Sequence, residues 1–399
     1  MNKVILYSAL LGTSVMSYQA RAVELDGYLT AGLAVHNQSQ TDGSKVVYLD
    51  EITDDVTFLQ DSKFGLQVTA DVAENMQAVA QILASAEDDN YSMDIEWAYL
   101  DYTASESTSL RVGRIKQPVF LISDYLEVGY AYPWIRPPAE AYSNMPVDSI
   151  IGAQLLYQTR IGDMNFGFQP YFGSNTEGVP GQPTVNFFAD NYVGMAVRLE
   201  NRAFTLQLST FQTDVSTVDT GGGLNSEGSA TLSVASLSWD IANFVGYTEY
   251  TTRDIEADTG TLSSGTPNGF NDVAFDNLFA DQDGYYVTLG YRMGKYLPHI
   301  TYAAIEATPT SAFGCAVPTD ITTCGPSQGA QQNSIILGLR YELNDSAALK
   351  MEYQTTELDY DVASDPTGNI GLYQPFTSVD SEFVEDKMSL LSVAVDIIF

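Results

Sequence analysis

The sequence predicts an all-β protein, a transmembrane antiparallel up-and-down β-barrel of about sixteen strands, and three observations support this fold class. First, the chain ends in Leu391–Phe399, where apolar residues alternate with small or charged ones, as on a strand with one apolar face. Second, short and long connections alternate along the chain. Third, 25 Tyr, 18 Phe and 31 Gly accompany only 17 Lys and Arg. That composition suits a barrel with aromatic girdles and a polar interior.

Sixteen segments combine alternating apolar residues with turn residues at their ends. Most approach the roughly 9–11 residues that a strand needs to cross a bilayer at a steep tilt. The predicted strands are Glu24–His36, Lys63–Val72, Met76–Ala84, Ser92–Tyr102, Ser107–Ile115, Ser149–Thr159, Met164–Gly173, Asn191–Leu199, Arg202–Thr213, Ser229–Asp240, Asn243–Arg253, Gly284–Met293, Tyr296–Glu306, Gln332–Glu342, Ser346–Thr356 and Lys387–Phe399.

The connections between these segments alternate in length. The short ones are 73–75, 103–106, 160–163, 200–201, 241–242, 294–295 and 343–345, and the long ones include 37–62, 116–148, 254–283 and 357–386. In an up-and-down barrel, alternate connections emerge at opposite ends, so this pattern places all long loops at one end. The connection 85–91 is shorter than the other members of its set.

The two faces of each predicted strand differ in polarity. In Ser346–Thr356, for example, Leu349, Met351 and Tyr353 alternate with polar or small residues. We expect the apolar faces to contact lipid and the polar faces to line a water-filled interior, because about sixteen strands leave an aqueous channel. The mature chain, residues 23–399, is predicted to be one barrel domain.

The first 22 residues have the pattern of a secretory signal peptide. Lys3 precedes an apolar stretch, Val4–Met16, and Ala20-Arg21-Ala22 has the small residues of a cleavage site before Val23. An uncleaved anchor is the alternative, although the stretch is shorter than the ~20 residues of a spanning helix.

The chain is strongly acidic, with 51 Asp and Glu against 17 Lys and Arg and a formal net charge of −34. Such a charge excludes nucleic acid as a partner. Acidic loops suit an anionic lipid surface, where divalent cations bridge carboxylates to phosphates.

Cys315 and Cys324 are the two cysteines of the chain. An even number of cysteines in an exported protein favours a disulfide, here across one loop. A metal site is the alternative, but no histidine lies near in the sequence.

The chain resembles the general porins of the Gram-negative outer membrane. The likeness lies in the strand number, the alternation of loop lengths, the terminal Phe399, and Arg111-Val112-Gly113-Arg114 followed by the long loop 116–148. Tyr132–Pro138 resembles loop sequences of marine-type porins, whereas the Pro-Glu-Phe-Gly-Gly type of motif of enterobacterial porins is absent. The resemblance implies a homotrimer in outer-membrane lipid and lipopolysaccharide, and a terminal Phe399 that is read by the barrel-assembly machinery.

The resemblance also implies that residues 116–148, the third long loop, fold into the barrel and narrow the pore. The loop is rich in aromatic residues and proline, as a segment packed on the barrel wall would be. Candidate constriction residues in the loop are Asp124, Glu127, Arg136 and Glu140, and those on the wall are Asp94, Glu96, Arg111, Arg114, Lys350 and Glu352. Because acidic residues predominate in the loop, we expect a mild preference for cations. Each of these charges has the alternative interpretation of a solvated lumen residue.

The function predicted from these features is passive diffusion of ions and small hydrophilic solutes, with no reaction and no cofactor. A substrate-selective channel is the principal alternative, followed by a surface-binding or structural barrel. An enzyme is disfavoured because His36 and His299 are the only histidines and neither lies in a recognisable nucleophile motif.

Overall fold

The computed structural model describes most of residues 23–399. The described residues are 23–37, 47–49, 52–87, 90–143, 145, 149–179, 182–219, 224–257, 259–262, 273–274, 281–308, 313–315, 324–326, 330–359, 376–377 and 387–399. The predicted signal peptide, residues 1–22, lies outside the described residues.

Sixteen antiparallel strands form one closed barrel, as the sequence predicts. Each strand pairs with its neighbours in the sequence, and the first strand pairs with both the second and the last. The strands are β1 (Val23–His36), β2 (Lys63–Ala73), β3 (Met76–Glu87), β4 (Asn90–Ser105), β5 (Thr108–Lys116), β6 (Ser149–Ile161), β7 (Met164–Val179), β8 (Gln182–Glu200), β9 (Phe204–Asp219), β10 (Leu224–Ile241), β11 (Phe244–Ala257), β12 (Asp281–Tyr291), β13 (Tyr296–Thr308), β14 (Ala330–Asn344), β15 (Ala347–Asp359) and β16 (Lys387–Ile398).

Several strands extend beyond their predicted limits at the end of the long loops. β8 begins at Gln182 rather than at Asn191, and its pairing with β9 continues to Val185↔Asp219. β10 begins at Leu224 rather than at Ser229. Backbone hydrogen bonding needs no apolar face once a strand has left the hydrocarbon, so periodicity alone underestimates these ends.

The ends of the chain meet where β1 and β16 close the barrel. Register runs from Tyr28↔Ile398 to His36↔Leu390. Gly27 and Phe399 exchange both backbone hydrogen bonds, at 2.8 and 2.9 Å. A Cβ at Gly27 would lie 2.4 Å from the Phe399 ring, so a larger residue at this position would require the ring to move. The terminal aromatic residue is therefore part of the closing strand pair.

The two faces of the strands differ as predicted on the outer side of the barrel. On β12, Val287 and Leu289 are exposed, whereas Tyr286 and Thr288 between them are buried. On β15, Met351 is exposed between the buried Lys350 and Glu352. An exposed apolar face on every second residue is the pattern of a barrel in lipid. Among the described residues, no helix combines the length and hydropathy required to cross a membrane.

The inner face is not polar throughout, contrary to the expectation from the sequence. On β9, Phe211 and Val215 are buried on the same face as Gln207 and Ser209, opposite the exposed Leu208. They belong to an apolar cluster that draws buried residues from β5 to β11: Ile115, Ile150, Tyr171, Phe187, Ala189, Tyr192, Phe211, Val215, Ala230, Leu232, Val234 and Ile255, together with Val119 and Phe120. Alternation does not reveal this, because apolar residues then occur on both faces.

Candidate functional site: the 116–148 loop and the barrel wall

The loop that follows β5 is mostly buried. It contains two 3₁₀ turns, Ser123–Tyr125 and Gly129–Ala131, and one short helix, Ala139–Tyr142. Val119, Ile122, Trp134 and Glu140 each have 0% exposure. A loop of this length with fully buried side chains must be packed against the rest of the protein.

The beginning of the loop packs on the apolar cluster. Val119 and Phe120 are members of that cluster, and the Phe120 ring stacks on Tyr142 with centroids 4.3 Å apart. Gln207 Nε2 on β9 donates hydrogen bonds to the carbonyl oxygens of Pro118, Val119 and Phe120 at 3.2, 3.3 and 3.0 Å. The two N–H donors of this inward-facing amide are shared among three consecutive loop carbonyls, and Ser209 Oγ and the Ser123 N–H also donate to those of Val119 and Phe120.

Glu249 on β11 fastens both ends of the loop at one point. Its carboxylate accepts hydrogen bonds from the Leu121 backbone N–H at 2.9 Å, from Ser236 at 2.6 Å, from Tyr286 at 2.9 Å and from the Tyr142 hydroxyl. Glu249 is 1% exposed. Four donors therefore compensate the cost of burying this carboxylate.

Trp134 lies at the middle of the loop and is held by both polar and aromatic contacts. Its Nε1–H donates to Thr288 Oγ1 on β12 and Thr301 Oγ1 on β13, at 3.0 and 3.1 Å. Its ring meets Tyr247 and Tyr286 edge-on, with centroids 4.8 and 5.5 Å apart. The indole is thus the aromatic anchor of the loop.

Lys350 on β15 holds the backbone on both sides of residues 130–133. Its Nζ donates to the carbonyl oxygen of Gly129 at 2.6 Å and to that of Trp134. It also pairs with Asp396 on β16 at 2.8 Å, with side chains 1% and 2% exposed. Thr30 on β1 donates to the same carboxylate at 2.7 Å. Lys350 is therefore a buried, fully bonded cation.

Residues 135–140 continue these polar contacts. Glu352 on β15 accepts a hydrogen bond from the Ile135 N–H at 3.0 Å. Arg136 pairs with Asp61 and donates to Ser392 on β16. Glu140 accepts from Gln332 on β14 at 2.8 Å and from Ser334.

Glu127, a loop residue, lies between two lysines of the barrel wall. Its carboxylate lies 2.9 Å from Lys63 Nζ on β2 and 3.8 Å from Lys116 Nζ at the end of β5. Lys116 in turn pairs with Glu96 on β4 at 2.7 Å. Burial alone would raise the pKa of Glu127, but the two lysines outweigh it and lower this pKa to about 2.

Asp124 differs from the other candidate carboxylates because it is exposed. It lies in no ion pair with the described residues, although it is close enough to Tyr99 and Arg111 to interact electrostatically with both. On the wall, Arg111 Nε pairs with Asp101 at 2.9 Å, with side chains 27% and 19% exposed. Asp124, Arg111 and Asp101 are therefore charged groups that remain in contact with water.

The remaining predicted residues take peripheral positions. Asp94 is exposed and accepts a hydrogen bond from Ser92 at 3.1 Å. Arg114 donates to the Glu96 carbonyl oxygen at 3.4 Å. The backbones of Cys315 and Cys324 lie opposite each other in a two-stranded pairing, so the predicted disulfide keeps a suitable backbone register.

The sequence analysis missed several residues that bind the loop. Asp61, Gln207, Glu249, Thr288 and Asp396 were not among the candidates. Four of them occupy buried positions on the inward face of β9, β11, β12 and β16, the face that the sequence predicts to be polar, and that position is the signal that could have identified them. Asp61 precedes β2 and carries no such signal.

Comparison with known proteins agrees with the fold. A family model described as Gram-negative porin matches residues 7–361. A search of curated protein sequences finds no significant match.

Solved structures resemble the chain over nearly its whole length. The in-vitro folded OmpT, an outer-membrane protein of Vibrio cholerae, has a TM-score of 0.56 at 11% identity and covers 97% of this chain and 100% of its own; its trimer form has 0.54 at 13%, covering 95% and 100%. An anion-selective porin from Comamonas acidovorans has 0.54 at 13%, covering 95% and 99%. OmpF of Salmonella typhi in complex with daunomycin has 0.53 at 13%, covering 95% and 98%.

These identities show a shared fold, and the family model shows the family. Together they support an outer-membrane location and a channel for small solutes, as the sequence predicts. The chain belongs to the Gram-negative porin family.

Proposed function

We propose that the 116–148 loop lies inside the barrel and narrows a water-filled channel for ions and small hydrophilic solutes, with a mild preference for cations. One observation supports this proposal best: the loop bonds to buried side chains that alternate with exposed apolar ones on the strands. These partners come from β9, β11, β12 and β15, among others. A loop capping the barrel from outside would instead contact strand ends.

The open path is proposed to pass Asp124. Several charged side chains near the loop are exposed to water. They are Asp124, the Arg111–Asp101 pair, and Arg198, whose side chain is 28% exposed. Side chains that line a water-filled path are exposed, and Asp124 is more exposed than the other candidate loop charges, Glu127, Arg136 and Glu140. This path follows β4, β5 and β8.

Charge pairing makes Asp124 the main determinant of ion preference. Glu127 is compensated by two lysines, Arg136 by Asp61, and Lys350 by Asp396. Glu140 is buried. The acidic loops contribute little at the constriction, because the Debye length is about 8 Å at physiological salt.

The salt-gradient reversal potential of purified protein in a planar bilayer tests this assignment. Wild type should give a cation-signed potential, and Asp124→Asn should move it towards zero or to the anion sign. Asp71→Asn is the matched control, since Asp71 is exposed at the short-turn end and binds only Gln77 among the described residues. An unchanged potential in Asp124→Asn contradicts the proposed path.

A substrate-selective channel is the second candidate, favoured by the number of strands that the loop contacts. A loop bonded to strands around the wall leaves a narrow passage. Saturation of solute flux at low concentration distinguishes this channel from a general one, for which flux rises linearly.

The proposal includes assembly and processing. A homotrimer is supported by the trimer form of the similar OmpT, and light scattering with detergent correction tests it. We also propose that the chain is cleaved before Val23 and that Cys315 and Cys324 form a disulfide. The assembly machinery is proposed to recognise Phe399, and the barrel to contact lipopolysaccharide. Mass spectrometry with and without reductant measures the first two.

We infer no catalytic activity. His36 Nε2 lies 3.0 Å from the carbonyl oxygen of Ile52, and His299 lies on β13 beside Glu352, at 3.9 Å. The two histidines are on different strands, β1 and β13.

A further inference from the structure

A cavity of about 280 Å³ opens at the short-turn end of the barrel, between the loop and the wall. We name it the turn-side pocket and define it by Tyr130, Tyr247, Arg292, Lys295, Arg340 and Glu342. Short turns face the periplasm in outer-membrane barrels, so this pocket is reached from that side. Its volume is at the lower end of the range for small-molecule sites.

The pocket concentrates positive charge in a strongly acidic chain. Of 17 Lys and Arg residues, three line the pocket, against a single acidic lining residue, Glu342. Arg292 is held by a two-pronged pair with Asp240, at 3.0 and 2.9 Å. Arg340 donates to the carbonyl oxygens of Tyr130 and Tyr132.

Lys295 differs from the two arginines because it has no carboxylate partner among the described residues. Its Nζ donates to the Leu343 carbonyl oxygen at 3.1 Å. An ammonium group has three donors, so two remain for a ligand. Lys295 is therefore a cation available to an anionic group.

Glu342 supplies a negative charge to the turn-side pocket. One carboxylate oxygen accepts from Arg340 Nε at 2.7 Å, while Oε2 is buried and has no hydrogen-bond partner in the described part of the chain. The nearby Tyr130 hydroxyl donates instead to the Asp345 carbonyl oxygen at 2.9 Å. The Glu342 side chain as a whole is 37% exposed, so its carboxylate is open to a ligand N–H from the pocket.

We propose that the turn-side pocket binds a small zwitterion, with its carboxylate at Lys295 and its ammonium at the Glu342 carboxylate. Arg292 adds attraction for the carboxylate, and the rings of Tyr130 and Tyr247 form walls that tolerate a cation. A plain anion gains nothing at Glu342, and a plain cation gains nothing at Lys295, whose charge repels it. This site is separate from the Asp124 path.

Binding of three matched compounds to the purified trimer or monomer, measured by titration calorimetry at equal ionic strength, tests the site. The compounds are 4-aminobutyrate, butyrate and butylammonium, which share a four-carbon chain and differ in their charges. We expect 4-aminobutyrate to bind at least about tenfold more tightly than either other compound, which is the effect of one charge-assisted hydrogen bond.

Two variants test whether 4-aminobutyrate binds in the turn-side pocket. Lys295→Gln should weaken binding of 4-aminobutyrate by about tenfold, the same scale as one charge-assisted contact. Arg160→Gln is the control, since Arg160 is an exposed cation near another short turn and donates to Gly162. Butyrate binding equal to that of 4-aminobutyrate, no binding of any compound, or equal binding by Lys295→Gln would each overturn the proposal. Because binding is read directly, the result does not depend on conductance.

Discussion

The two attachments of the 116–148 loop differ in chemistry. Residues 118–120 rest on the apolar cluster of β5 to β11, with Gln207 donating to their carbonyl oxygens. Residues 127–140 are held by the ion pairs of Glu127 and Arg136 and by hydrogen bonds to β2 and β12 to β16, among them those of Lys350. Apolar packing is non-directional and tolerates small shifts, whereas buried charges require their partners at fixed distances. The comparison indicates that the apolar attachment stabilises the loop against the wall, whereas the ionic attachment fixes where the loop lies.

Loss of Lys350 should have the largest effect. Lys350→Met leaves Asp396 buried without its cation and frees the carbonyls of Gly129 and Trp134, which costs about 3–5 kcal/mol of stability. The midpoint of heat unfolding in detergent measures this loss. Lys387→Met is the control, because the exposed Lys387–Glu357 pair should contribute at most about 1 kcal/mol. Equal midpoints for the two variants would contradict the difference between the attachments.

Truncation on the apolar side should cost slightly less. Phe120→Ala removes a ring that is 5% exposed and stacked on Tyr142, and we expect a loss of about 3 kcal/mol. The same unfolding midpoint reports it. Ion selectivity should stay unchanged, because the ionic attachment still positions Asp124. A changed reversal potential in this variant would show that packing also sets the position of the loop.

Glu249 should have a smaller effect. In Glu249→Gln the amide can accept at one atom only, so two of the four donors meet an N–H₂ group, at a cost of about 1–3 kcal/mol. Ser236→Ala is the matched variant, since it removes one donor and leaves the carboxylate with three. A midpoint for Glu249→Gln above that of Ser236→Ala would contradict the role of this carboxylate.

Acid should break the ion pairs of Glu127 with Lys63 and Lys116 only at low pH. Because the pKa of Glu127 is lowered from 4.5 to about 2, its contribution is complete above pH 4.5 and disappears as the pH falls through about 2. Lys63→Gln removes the nearer lysine, so the transition should move to higher pH. Unfolding midpoints measured from pH 5 to pH 2 follow it. An identical pH profile in the variant would rule out the lysine as the cause.

Much of the fold follows from the sequence, and less of the site. Alternation and turn residues locate all sixteen strands because lipid demands one apolar face. The wet or buried state of each charge depends on distant partners, such as Glu140 with Gln332, and no local pattern carries that information. Hence Asp124 and Glu140 look equivalent in the sequence, yet one is exposed and the other buried. The inner apolar cluster was missed for another reason, because apolar residues occur on both faces of its strands and the alternation is lost.

Single-channel conductance of wild type and Lys350→Met in planar bilayers tests most directly whether the loop narrows the channel. Wild type should give discrete steps, and Lys350→Met should give larger or noisier steps, because residues 129–134 lose their fixed position. Lys387→Met should match wild type. Equal conductance in all three proteins would contradict a constriction by the loop, and no conductance from folded wild type would contradict an open channel.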